Sequence, residues 1–155
     1  MSEYFAKVVW TKSNDDDYID NKYCRAHQWM FDGGMTIDAS SSPHVVPTPY
    51  SIEAYVDPEE AFIASLSSCH MLFVLSISAI KKYVIESYVD EAVGTMEKDA
   101  NGNISMTNVI LRPKIVFSGE KTPTVEQLEK IHHQAHQQCF IANSVKTNVT
   151  TVIRV

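Results

Sequence analysis

The chain is poor in cysteine, glycine and positive charge. The small number of glycines argues against a low-complexity chain, and the other two scarcities exclude further classes of protein. Its 155 residues include 3 Cys, 5 Gly, and 13 Lys and Arg against 19 Asp and Glu. Three cysteines are too few for a disulfide framework, so we expect free thiols in a reducing compartment, the cytoplasm. The net charge of -6 and the lack of a basic cluster argue against nucleic acid or an anionic membrane as a partner.

A long apolar run is also missing. No stretch reaches the roughly 20 apolar residues of a membrane span, and the N-terminus has no apolar segment behind a basic region. What is present is ordinary for a globular protein, with 45% hydrophobic and 21% charged residues. The length favours a single domain covering residues 1–155.

The first third of the chain has the pattern of a small sheet. Alternating apolar residues predict a strand over residues 4–10, and a second strand is predicted over residues 22–31. The sequence Asp32-Gly33-Gly34 favours a turn into a third strand at residues 35–39. Residues 40–56 carry three prolines and several serines, which indicates an irregular segment.

The clearest helix start is Asp57-Pro58-Glu59-Glu60, because it combines an N-cap acceptor, proline at the first helical position and acids in the first turn. The helix is predicted to run to about residue 83. Residues 69–80 are apolar almost all round, which is typical of a central helix packed on several sides. We expect this apolar stretch to be too short to cross a membrane.

The rest of the chain predicts two long strands, a helix and a last strand. The helix begins near Thr124 with Gln127 in the capping-box position, and its apolar stripe ends in Cys139. The predicted ranges are strands 86–98 and 104–117, joined by a turn at 99–103, and strand 147–155. The order β-β-β-α-β-β-α-β is an α+β arrangement.

Two segments then carry a resemblance to a known family. DPEEAFIASLSSCHMLF contains Cys69, and AHQQCFIANSVK contains Cys139 seventy residues later. These segments resemble the two signature regions of the OsmC/Ohr thiol peroxidases, over nearly the whole chain. The resemblance implies an intertwined homodimer with two long helices per chain packed between sheets. It also implies reduction of organic hydroperoxides by a cysteine pair, in defence against oxidative stress and without a metal or cofactor.

The resemblance assigns roles to four residues. Cys69 matches the reactive cysteine, Cys139 the resolving cysteine, and Glu59 the family glutamate ten positions before Cys69. Arg25 lies where the family places its catalytic arginine, upstream of the glutamate. An external dithiol, either a lipoyl protein or a thioredoxin-like protein, is implied as the reductant of the Cys69–Cys139 disulfide.

The chemistry of a thiol supports these assignments. A cysteine attacks peroxide only as a thiolate, so it needs a nearby cation, and the only other arginines are Arg112 and Arg154. Ten residues of straight helix span about 15 Å, so Glu59 and Cys69 of one chain cannot share a small site. Unless the helix is broken between them, we expect Arg25 and Glu59 to come from the partner of the chain that supplies Cys69.

Two features depart from the family pattern. The residue after Cys69 is His70, whose side chain points about 100° away on a helix and is a poor base for Cys69. It could mark a subgroup with another substrate or reductant. Residues 40–56 lack a glycine-rich run, which leaves the size of the substrate open. Cys24 has no counterpart, so inert packing is its expected role.

Other functions remain open at this stage. A buried Cys69 or Cys139 could be core filler, Glu59 a helix-terminus acid, and Arg25 an exposed charge. The chain could be a non-catalytic member of the fold that binds an apolar ligand. It could also bind metal through His132, His136 and Cys139, with His70 or His133 as a further ligand. The remaining expectation is that these aromatic residues belong to the core or line an apolar pocket: Trp10, Trp29, Phe31, Phe62, Phe73 and Phe140.

Overall fold

Eight strands and two helices form the chain, and the α+β class predicted from the sequence is confirmed. The computed structural model describes residues 1–155. Its α-helices are α1 (Pro58–Ile80) and α2 (Val125–Gln138), and Ala142–Ser144 form a short 3-10 helix. Its strands are β1 (Ala6–Val9), β2 (His27–Phe31), β3 (Thr36–Ala39), β4 (Val84–Asp90), β5 (Val93–Lys98), β6 (Ile104–Leu111), β7 (Pro113–Ser118) and β8 (Asn148–Thr151). Two compact units are present, Met1–Ala61 and Phe62–Val155.

The first unit contains an antiparallel sheet in the order β1-β2-β3. The predicted turn is confirmed, with Gly34 at a φ of 95° and its N–H bonded to the Phe31 carbonyl. The second strand begins only at His27, so the prediction that it starts at residue 22 is wrong. The backbone N–H of Arg25 bonds instead to the Tyr50 carbonyl. Arg25 therefore lies in the irregular segment before β2.

Capping hydrogen bonds set both ends of α1, with side-chain carboxylates as acceptors at the start and a backbone carbonyl at the end. Asp57 accepts from the Glu60 N–H at 2.8 Å, while the Glu60 carboxylate accepts from the Asp57 N–H. The helix ends at Ile80, three residues before the predicted end. Lys82 takes a φ of 67°, and the Tyr83 N–H bonds to the Ser78 carbonyl, which is the hydrogen bond of a Schellman motif.

The second unit contains two sheets, β4-β7 and β5-β6-β8. The predicted long strands 86–98 and 104–117 are each divided, because the chain passes from one sheet to the other at residues 91–92 and at Arg112. Asp90 marks this crossing: it pairs with Pro113, and its Oδ1 accepts from the Arg112 N–H at 2.6 Å. β8 pairs in parallel with β6 and is shorter than the predicted strand 147–155.

In the second unit the two helices share one core. Thr124 caps α2 in a complete capping box with Gln127, as predicted. Val74 and Ile77 of α1 pack with Ile131 and Ala135 of α2, against the β4-β7 sheet. A second cluster packs Leu66 of α1 against the β5-β6-β8 sheet. Both helices are thereby fixed along the segments that carry Cys69 and Cys139.

The expectation that no stretch of the chain is long and apolar enough to cross a membrane is wrong for α1. By length and composition alone this helix could cross a membrane, since a window of 18 residues has a mean hydropathy of 1.8. Only 28% of that window is buried in the single chain. The core helix of a soluble protein can pass the same test of length and composition. The finding therefore poses the question of what covers α1.

Candidate active site

The structure brings Cys69 and Cys139 together as unbonded thiols. Cys69 is half-buried near the middle of α1, and Cys139 is buried at the C-cap of α2. The two thiols are close enough for the Cys69 side chain to raise the pKa of Cys139. A reactive cysteine and a second cysteine beside it are the minimum that a thiol–disulfide cycle needs.

Burial is the main cause of the raised pKa of the Cys139 thiol. The backbone N–H of Ala142 works in the opposite direction, because it donates to the Cys139 Sγ at 3.4 Å. Cys69 then raises the pKa further, first through a hydrogen bond between the two side chains that favours the neutral thiol, and also because two adjacent thiolates repel each other. The arrangement favours a state in which Cys139 stays protonated.

Arg25 and Glu59 line one cavity of the first unit, of about 410 Å³. Its walls are rich in aromatic rings, and the guanidinium carbon of Arg25 lies 3.6 Å from the centroid of the Tyr23 ring. The Glu59 Oε2 is buried and has no hydrogen-bond partner. A buried carboxylate oxygen without a hydrogen bond destabilises the folded protein, so this atom is available to accept one.

The expected ion pair between Arg25 and Glu59 is not formed in the single chain. The guanidinium donates instead to the backbone carbonyls of Asn21 and Tyr23 and to the Asn21 side chain. The only ion pair in the structure joins Arg154 to Glu91. Since α1 is unbroken from Pro58 to Ile80, the condition for drawing Arg25 and Glu59 from the partner of the Cys69 chain is met.

A pair of buried histidines lies in the same region of the second unit as the cysteines. The His70 Nε2 and the His132 Nδ1 are 2.9 Å apart, and the two rings are almost parallel. The pKa of each is lowered from 6.5 to about 4, mainly by burial, and for His70 also by the charges of His132 and His136. The sequence groups His70 with His132 only as possible metal ligands and does not reveal their hydrogen bond, because the two are 62 positions apart and no local pattern joins them.

The metal hypothesis finds no support in the geometry. No group of three or more His, Cys, Asp or Glu side chains is arranged to hold an ion. His132 turns its Nδ1 to His70, and Cys139 sits at the helix end beside Ala142. Two aromatic expectations are wrong, because Phe31 and Phe140 are exposed rather than in the core. Trp10 lines the Arg25 cavity, which the expectation of an apolar pocket allowed.

Comparison with known proteins identifies the family. The family profile described as OsmC-like protein matches residues 53–154. The chain belongs to the OsmC family. It is 58% identical to an OsmC-like protein of unknown function from Vibrio cholerae, with a TM-score of 0.98 and coverage of 99% of this chain and 100% of that one.

More distant OsmC-family structures share the fold. The organic hydroperoxide resistance protein OhrB of Bacillus subtilis is 18% identical, with a TM-score of 0.67 and coverage of 97% and 98% of the two chains. An organic hydroperoxide resistance protein from Elizabethkingia anophelis is also 18% identical, with a TM-score of 0.66 and coverage of 98% and 95%. No curated protein matches this OsmC-family chain at a significant level.

Proposed function

We propose that this protein is a cysteine-based peroxidase that reduces organic hydroperoxides to alcohols and serves in oxidative stress defence. The observation that carries the proposal is the pair of adjacent, unbonded thiols on α1 and α2. The neighbours named as organic hydroperoxide resistance proteins add support through the shared fold. The free thiols suit a cytoplasmic location.

The reaction proceeds in two chemical steps. The Cys69 thiolate attacks the distal oxygen of the hydroperoxide, the O–O bond breaks, and the alkoxide leaves as alcohol after taking a proton. Cys69 is then a sulfenic acid, and the Cys139 thiol attacks its sulfur to form the disulfide and release water. An external dithiol of the lipoyl or thioredoxin type reduces the disulfide and restores both thiols.

Arg25 and Glu59 act on the first step in this proposal. Their cavity holds the organic part of the peroxide against apolar rings, while the guanidinium stabilises the charge that develops on the leaving oxygen. They meet Cys69 of the partner subunit in a homodimer. In that complex the Glu59 Oε2 accepts a hydrogen bond from an Arg25 N–H. This gives a partner to the buried oxygen that has none in the single chain.

The test is a steady-state assay with tert-butyl hydroperoxide, compared with hydrogen peroxide, and dihydrolipoamide as the dithiol. Cys69→Ser is expected to abolish consumption of peroxide, because a serine hydroxyl does not ionise near neutral pH. Cys24→Ser is the matched control, since Cys24 lies in the first unit, outside the Cys69–Cys139 pair. Cys69→Ser with full activity would refute the mechanism.

A second variant separates the roles of the two cysteines. Cys139→Ser is expected to complete one turnover and then leave Cys69 as sulfenic acid, which overoxidises to sulfinic acid under excess peroxide. Mass spectrometry of the Cys69 peptide measures this. A folded wild-type protein that consumes no peroxide but binds apolar molecules in the Arg25 cavity would instead support a non-catalytic binding role.

A further inference from the structure

We propose that the His70–His132 hydrogen bond positions α1 and α2 so that Cys69 and Cys139 can close their disulfide. The inference rests on the proposed cysteine pair and goes beyond it, because it assigns a role to two residues that the peroxide reaction does not use. His70 and His132 are positioning residues, which touch neither peroxide nor sulfur in the reaction.

Three side-chain contacts connect the helices near the cysteines. Cys69 lies beside Cys139, and the residue after each takes part in a further contact. His70 bonds to His132 at 2.9 Å, and Phe140 packs edge-on against Phe73 with centroids 5.1 Å apart. The histidine bond is polar, directional and only 2.9 Å long, so it limits how far one helix can slide along the other.

Burial makes this bond difficult to replace by water. His70 is 1% exposed and His132 is 3% exposed. The outer nitrogens, Nδ1 of His70 and Nε2 of His132, have no partner in the structure. If the helices move apart, both inner nitrogens also lose their partner inside the core, which is unfavourable for a buried polar group.

The hydrogen bond between the two rings tolerates one added proton but not two. A neutral imidazole has one N–H and one bare nitrogen, so two neutral rings form one N–H···N bond in either direction. One added proton leaves that bond intact, because it goes to an outer nitrogen. A second added proton places N–H against N–H and turns the contact into a repulsion between two cations.

The charged surroundings do not offset that repulsion. Asp90 is the only acid that acts on His70, and its carboxylate already accepts from the Ser67 hydroxyl and the Arg112 N–H. The other titratable groups near the pair are His136, which adds positive charge on α2, and Glu129 and His133, which line a surface cavity with His132. Disulfide closure should therefore fall in acid when both rings are charged.

The deciding experiment is the equilibrium of the reduced protein with glutathione disulfide at pH 7, which gives the protein disulfide and two glutathione thiols. It needs no peroxidase activity. His132→Leu is expected to lower the equilibrium constant at least tenfold, which is about 30 mV for a two-electron couple. His133→Leu is the matched control, because His133 is exposed on the same helix. An unchanged constant in folded His132→Leu would overturn the proposal.

A conservative double variant guards against simple unfolding. In His70→Gln combined with His132→Asn, the two amides place polar atoms where Nε2 and Nδ1 stood and can keep a hydrogen bond that does not titrate. It is expected to restore the glutathione equilibrium to within threefold of wild type. A constant as low as that of His132→Leu in this folded variant would contradict the positioning role.

The pH profile supplies a readout that a merely structural role would not change. After a single pulse of tert-butyl hydroperoxide, the rate of Cys69–Cys139 disulfide formation is followed between pH 4 and pH 7. The wild-type rate is expected to fall more steeply in acid than that of the Gln–Asn variant. Identical profiles would overturn the proposal. A wild type that ignores peroxide but shows the glutathione effect would refute only the proposed peroxidase.

Discussion

Arg25 has a guanidinium whose hydrogen bonds are local in the single chain. It donates to Asn21 and Tyr23, while the buried Glu59 Oε2 in the same cavity has no donor. The other two arginines both contact Glu91: Arg112 donates to its backbone carbonyl, and Arg154 forms an ion pair with its carboxylate. Arg25 is therefore the arginine best placed to complete the proposed peroxide site.

Arg25→Met should slow the first attack on tert-butyl hydroperoxide on the order of 100-fold, because it removes the donors that stabilise the leaving oxygen. Arg25→Lys should recover part of the rate, since an ammonium cannot hold a carboxylate and a peroxide in one plane. Stopped-flow measurement of the loss of Cys69 thiol gives the rate. Arg112→Met is the control, and a slow Arg112→Met beside a normal Arg25→Met would move the role to Arg112.

The buried histidines predict how stability depends on pH. Their pKa values are lowered to about 4 in the folded protein. Between pH 6.5 and about 4 the two histidines are therefore protonated in the unfolded chain but neutral in the folded chain. Stability should be complete above pH 6.5 and fall as the pH drops from 6.5 to about 4. The loss is on the order of 3 kcal/mol for each histidine.

Urea unfolding at pH 7 and at pH 4.5 measures this loss. His70→Gln combined with His132→Asn removes both titrating rings and should lose several kcal/mol less than wild type between the two pH values. Equal losses in the two proteins would mean that the acid sensitivity arises at other groups.

At the scale of elements, the signals that predicted structure well are local ones. The N-terminal capping signals of α1 and α2 each lie within four residues, and both are confirmed. The division of the long strands depends on Asp90 meeting Arg112 from 22 positions away, which no local pattern carries. The His70–His132 pair was missed for the same reason, whereas Cys69 and Cys139 were found through a family resemblance rather than through spacing.

Gly94 on β5 lies close to the side chains of Met106 and Ile63, and this packing can be tested by substitution. A Cβ at this position would lie 2.5 Å from the Met106 Sδ and 2.6 Å from the Ile63 Cδ1. Gly94→Ala should therefore destabilise the protein by about 1–3 kcal/mol, because both side chains must move in a packed cluster. Gly33→Ala is the matched control, since a Cβ there meets nothing within 4 Å. Equal urea midpoints for the two variants would contradict the expected crowding.

At the scale of the whole molecule, the uncovered side of α1 is the main unexplained surface. Leu72 is 59% exposed on this helix. Its neighbours at helical spacing are small and also exposed, which lets another helix approach closely: Ser65, Ser68, Ser76 and Ala79. The proposed dimer, with a second copy of the chain on this stripe, would account for the high hydropathy of α1 and for the partner that the proposed active site requires.

Leu72→Glu should therefore convert the proposed dimer to monomers, since the carboxylate would be buried without a partner. Sedimentation velocity at micromolar concentration measures the mass. Val125→Glu is the matched control, because Val125 is exposed in the first turn of α2, where an acid is favourable. Dissociation should also abolish turnover, as Cys69 of one protomer loses Arg25 and Glu59 of the other. A monomeric wild type with full peroxidase activity would refute both the dimer and the shared site.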